Sequence, residues 1–160
     1  MRGPLRLVAV AVAVAAATGA AAQVLIQPDA AMVAMFDRMA RDNLTLARLP
    51  DGTNVPPETA EERAQPIVPP ALTEQTVRRG FLSGEMQACG LDPMQSFLPY
   101  MAALRASGHY SDRQLAYVGL LHGLGQGFAH SELSKAVRSC SRGILRRLQR
   151  TASRQPILTP

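Results

Sequence analysis

Tryptophan is missing from this chain, aromatic residues make up 4% of it, and only two cysteines occur in 160 residues. Each scarcity excludes something. With so few aromatic residues, and with apolar residues recurring at three and four rather than at two, strand signals are nearly absent. Two cysteines without a C-x-x-C spacing leave no signature for thioredoxin-type redox chemistry or c-type haem attachment, and none for a zinc site. Lysine is almost lacking too: sixteen of the seventeen basic residues are arginine, a bias expected of a GC-rich genome, which suggests a bacterial source. Past Ala22 no apolar run is long enough to span a bilayer, so no transmembrane segment is expected in the mature chain.

What is present begins with an address. Arg2 and Arg6 form a positive n-region, Leu7 to Ala17 is an uninterrupted apolar run, and Ala20-Ala21-Ala22 offers the small residues a signal peptidase needs. Cleavage after Ala22, with a mature start at Gln23, places the protein in the periplasm or outside the cell. The competing reading is a retained anchor, but the apolar stretch ends at Ala22, short of the roughly twenty residues of a spanning helix, and is mostly Ala and Val. Loss of two arginines and no acid lowers the net charge from +5 to +3. In an exported chain Cys89 and Cys140 are most simply a disulfide, whose 51-residue loop is worth about 4 kcal/mol in the chain-entropy model.

The pattern predicts an all-α protein, a small bundle of four to five helices after the signal peptide. Residues 1–22 are the signal and 23–49 an N-terminal helix capped by Asp29, with Met32, Met35, Phe36 and Met39 on one face. Residues 50–72 hold six prolines, an Asp51-Gly52 turn and the acids Glu58, Glu61 and Glu62, which reads as a mobile irregular linker. Residues 73–150 form the compact domain and 151–160 a tail. Within the domain a second helix is capped by Thr73 and stops at Cys89-Gly90; a third follows Ser96 and stops at Ser107-Gly108. A fourth, with Ser111 and Gln114 as capping box, runs from Asp112 to Ala129, and a fifth carries the stripe Leu133, Val137, Cys140, Ile144 and Leu148.

Glycines mark the second and fourth of these helices. Gly119, Gly123 and Gly127 repeat every fourth residue, and Gly80 and Gly84 share the spacing. Helix-interior glycine costs about 1 kcal/mol against alanine, so a set in register points to close backbone approach between the two helices. The alternative is that the fourth helix breaks near His122 and the glycine run forms an anion-binding loop, a weak signal without a preceding strand or a following lysine.

The second helix has its polar side at Thr76, Arg79, Ser83 and Gln87, while Glu85 falls inside the apolar arc. An inward carboxylate needs a partner. A crossing at the glycines makes His122 the natural one, with Gln126 four residues on from it. Glu85, His122 and Gln126 are therefore the weak candidates for a catalytic or metal-linked site, since a carboxylate could orient the imidazole as in general acid–base pairs. The competing reading is a structural pair that fixes helix register. Met32, Met35 and Met39 read as core filler rather than a Cu(I) site, and a haem held by Met35 or Met39 with His122 is a remote alternative. No metal and no cofactor is assigned.

After Glu132 there is no acid, while Lys135, Arg138, Arg142, Arg146, Arg147, Arg150 and Arg154 follow. The plain reading is a solvated helix face; the sharper one is a surface for anionic lipid, polysaccharide or acidic protein, with Arg142, Arg146, Arg147 and Arg150 as its residues. Export argues against nucleic acid. No motif is specific enough to place the chain in a family. The expectation is an exported helical binding or interaction protein with an unknown protein or cell-envelope partner, more a binder than an enzyme. The alternatives are an enzyme or metal-binding protein around Glu85, His122 and Gln126, and an anionic-surface binder using the C-terminal helix.

Overall fold

A computed structural model describes residues 25–136 and 138–155. The expected signal peptide and its cleavage site, as well as Val137, lie outside the described residues. Six α-helices and one 3-10 turn make up the regular structure, and no strand forms among the described residues beyond an isolated bridge between Arg48 and Asn54. None of these helices is long and apolar enough to cross a membrane.

Helix α1 spans Ala30–Asp42, and the Asp29 carboxylate caps it by accepting the Met32 N–H at 2.8 Å. Its buried face presents Phe36 and Ala40 to the core. Met32 and Met35 pack against that core while Met39 is exposed, so the three thioethers do not share one interior site. A 3-10 turn at Leu44–Leu46 leads into residues 50–72.

That connection is mostly exposed and is anchored at a few points. Gly52 takes φ +83°, as the turn after Asp51 requires, and Val55 and Val68 are both buried. Thr59 and Glu62 form a reciprocal capping box on a one-turn helix, α2, at Ala60–Arg63. Glu58, with its side chain buried, draws Arg41 from α1 to 3.0 Å and lies 3.9 Å from Arg113 of the later helix α5, Asp112–Ala136. Arg113 also pairs with Glu62 at 3.2 Å. The acids expected in a mobile linker thus fasten it to two helices.

Helix α3 runs Pro70–Ala88, starting three residues before the predicted Thr73 cap. Pro70 at the first helical position has its φ already set and no N–H to satisfy, so it opens the helix and leaves Thr73 one turn inside. Gly90 at φ +73° ends it. Helix α4, Phe97–Ser107, carries buried Tyr100, Met101 and Leu104 and stops at Gly108, φ +68°.

Helix α5 extends seven residues past the predicted Ala129, and α6 occupies Arg142–Arg154. The stripe expected on one fifth helix is therefore divided: Leu133 belongs to α5, Cys140 to the connection, and Ile144 and Leu148 to α6. Ser141 caps α6 from the β region, and Cys140, just before it, is bonded to Cys89 with 5.4 Å between their Cα atoms.

Two cores result. The larger joins α1, α3, α4 and α5 around Phe36, Phe81 and Phe128, whose ring centroids stand 5.5–5.7 Å apart. The smaller gathers Leu25, Leu82, Met86, Leu148 and Ala152 beneath α6.

Candidate functional site

Helices α3 and α5 form the dominant pairing, and glycine is the reason they approach so closely. A Cβ on Gly80 would stand 2.5 Å from the His122 carbonyl oxygen, and one on Gly84 would overlap the Gln126 carbonyl. The expected crossing is therefore present, with a correction on its α5 side. Gly125 and Ala129 meet the α3 glycines, while Gly119, Gly123 and Gly127 open onto space that a Cβ would not fill. Helix α5 is continuous through the glycine run, so the alternative of an anion-binding loop there is excluded.

This crossing turns the polar side of α3 inward. Thr76, Arg79 and Ser83 are all buried, and only Gln87 of the predicted polar side is exposed. Thr76 and Tyr100 share a hydroxyl–hydroxyl bond at 2.7 Å. Arg79, 2% exposed, donates to the Ser96 carbonyl at 2.8 Å and lies 4.4 Å over the Tyr100 ring. Burial lowers the Arg79 pKa and pushes that of Tyr100 up to about 12.

His122 completes this layer. It is 2% exposed, its Nε2 is 3.0 Å from Ser83 Oγ, and its ring stacks on Phe97 at 3.7 Å between centroids. Burial, reinforced by the Arg79 charge, lowers its pKa to about 4, so the imidazole is neutral near pH 7. A serine bonded to a histidine is the beginning of a nucleophilic pair. Both groups here are sealed from solvent, and their geometry serves to satisfy two polar side chains inside a helix interface.

Glu85 is inward-facing as predicted, 1% exposed, but its bonding partner is not His122. Its Oε1 accepts the Ile26 N–H at 2.5 Å. Positions 83 and 85 point to opposite sides of α3, so the side chain that reaches His122 is Ser83. Burial raises the Glu85 pKa to about 7, opposed by the Ile26 bond and by the charge of Arg147. Gln126 is directed elsewhere again, donating to Gln87 Oε1 at 2.8 Å near the surface. The three candidates thus bond to three different neighbours. Among the described residues no three His, Cys, Asp or Glu side chains gather as a metal-binding group.

Sequence reasoning missed Ser83, Arg79, Ser96 and Tyr100 as members of a buried layer. A usable signal was present: Thr76, Gly80, Ser83 and Gly84 form a run of small residues at helical spacing, the surface on which another helix can lie close.

Helix α6 has the opposite character. Leu148 and Ala152 face the small core, and Arg142, Arg146, Arg147, Arg150 and Arg154 are all exposed. Among the described residues, none of the five enters an ion pair with an acid. Arg147, Arg150 and Arg154 line a shallow concavity of about 390 Å³ with Thr151 and Gln155. The Cys89–Cys140 bond, placed just before α6, holds this basic helix against α3.

Fold and site together define an all-helical, disulfide-closed protein with a sealed polar layer and one strongly basic exposed helix. The chain matches no known protein family, no characterised protein and no solved structure.

Proposed function

We propose that this is an exported helical binding protein that docks through α6 on an anionic surface of the cell envelope. The observation that supports this reading is the set of five exposed arginines on α6, with no acid following Glu132. Export is supported by the leader pattern and by the disulfide, which persists in oxidising compartments. The apolar side of α6 is committed to the protein's own core, so α6 does not insert into lipid. Docking is electrostatic, reversible and sensitive to salt.

The test is sedimentation of the mature protein with vesicles of phosphatidylglycerol and phosphatidylcholine, compared with phosphatidylcholine alone. Each arginine near such a surface contributes about 1 kcal/mol. Arg146→Glu with Arg150→Glu should therefore weaken binding at least tenfold, and raising salt should release the wild type. Equal binding to both vesicle types, or charge reversal without effect, refutes the proposal.

A further inference from the structure

A second surface, built without any residue of α6, carries its own chemistry. A groove of about 560 Å³ runs between the segment after the 3-10 turn, helix α4 and the first half of α5. Its walls are apolar: Leu49, Pro50, Phe97, Leu98, Met101 and Leu115. Leu98 is 60% exposed although it stands in the first turn of a helix whose other large apolar residues are mostly covered. That volume is within the range of ligand pockets, and an apolar lining with a few polar groups is their usual composition.

Gly119 gives the groove its depth. Glycine in mid-helix is unfavourable, and at Gly80, Gly84 and Gly125 the close crossing explains it. Gly119 takes no part in that crossing. It lies in the wall of the groove, and a Cβ there would meet nothing within 4 Å. Any larger side chain at this position would project into the space the groove now leaves open.

The rim is charged with a definite sign. Arg48 and Arg105 both flank the groove, and both side chains are exposed. Among the described residues neither forms an ion pair; Arg48 makes only a long 3.5 Å contact to the Gly52 carbonyl. The one acid at the rim, Asp112, sits in the first turn of α5, where the positive end of the helix offsets its charge. An apolar trough with two arginines at its mouth complements a hydrocarbon chain that ends in an anionic head.

We infer that this groove binds a single-chain anionic amphiphile, its hydrocarbon chain lying along Phe97, Leu98 and Leu115 and its head held by Arg48 and Arg105. The site stands apart from the α6 reading, and failure of either leaves the other intact. The test is calorimetric titration of the mature, disulfide-bonded protein with decanoate below its micelle concentration, without vesicles. Decyltrimethylammonium, equal in chain and opposite in charge, is the comparison.

Decanoate is expected to bind one per chain and at least tenfold more tightly than decyltrimethylammonium. Gly119→Leu, which fills the groove without touching the α3–α5 crossing, should reduce decanoate binding at least tenfold while the circular dichroism melt stays cooperative. Leu98→Asp, at an exposed position, provides the same readout should Gly119→Leu disturb the fold. Arg48→Glu with Arg105→Glu should invert the preference between the two amphiphiles. Equal binding of both by the wild type, or decanoate binding that survives Gly119→Leu and Leu98→Asp, overturns the inference. So does a wild-type dimer that Gly119→Leu converts to monomer, which would assign the groove to a second copy of the chain.

Discussion

The two cores of this protein are held together by different means. In the larger, α3 and α5 touch backbone to backbone at Gly80, Gly84 and Gly125, three phenylalanines interlock, and the buried polar layer from Thr76 to His122 finds partners across three helices. In the smaller, five buried residues gather between α3 and α6, and a disulfide joins the end of α3 to the residue just before Ser141, the cap of α6. In the first region dense packing encloses Thr76, Ser83 and His122, and each is hydrogen-bonded to a side chain of another helix. The second region needs a covalent staple because a helix with five exposed arginines can offer little apolar surface to the core.

Breaking the larger core should have the greatest effect. Gly84→Val places side-chain atoms where the Gln126 carbonyl and the His130 N–H lie, both backbone groups that cannot turn aside. We expect a loss of at least about 3 kcal/mol in urea unfolding. Gly123→Ala, on the open face of the partner helix α5, is the counterpart and should stabilise by up to about 1 kcal/mol, since its Cβ meets nothing. Equal effects at the two positions would show that the crossing is not where stability resides.

Cutting the staple should have the next largest effect and a different distribution. Cys140→Ser is expected to cost about 2–4 kcal/mol. Its distinctive result is local: trypsin should cut at Arg146, Arg147 and Arg150 well before α3 or α5 is attacked, and amide exchange should rise in α6 alone. Uniform loss of protection across both cores would contradict this division.

Opposite effects, with a small net change in the wild type, follow from one buried titratable group in each core. His122 has its pKa lowered from 6.5 to about 4, so the unfolded chain takes up a proton the folded one refuses. Its contribution to stability is present above pH 6.5 and is lost as pH falls toward 4. Glu85 has its pKa raised from 4.5 to about 7, so the folded chain holds a proton the unfolded one releases. Its contribution is present below pH 4.5 and is lost as pH rises through 7. Each amounts to about 3 kcal/mol by linkage, and between pH 4.5 and 6.5 the two slopes nearly cancel. Single variants uncover them: Glu85→Gln should leave a protein that weakens on acidification, and His122→Gln one that weakens toward neutral pH. Urea titrations at pH 4.5, 5.5 and 6.5 distinguish these outcomes, and a wild type whose stability changes by several kcal/mol over that range would break the symmetry.

Much of the fold was legible because its signals are local. Asp29 and the Ser111–Gln114 pair cap helices, and Gly90 and Gly108 end them with positive φ. The glycine crossing was legible as an event but not in its register. Gly119, Gly123 and Gly127 share the spacing expected of a contact face, and Gly125 between them is the one that meets α3. Spacing alone cannot choose between two glycine faces of one helix. The candidate site was less legible still. That Glu85 turns inward followed from the helical wheel, but its partner is the backbone N–H of Ile26, a group every residue except proline possesses.

By itself, then, the sequence determined the helical class, several helix ends, the cysteine pair and the basic character of α6, because periodicity, capping and charge depend on residues a few positions apart. Only the tertiary structure decided which polar groups are inside. Thr76, Arg79 and Ser83 look like a solvent face until Tyr100, the Ser96 carbonyl and His122 arrive from other helices to bond with them. A buried polar side chain costs less where it finds hydrogen-bond partners, and the partners of Thr76, Arg79 and Ser83 lie 17 to 39 residues away, beyond the reach of any local pattern.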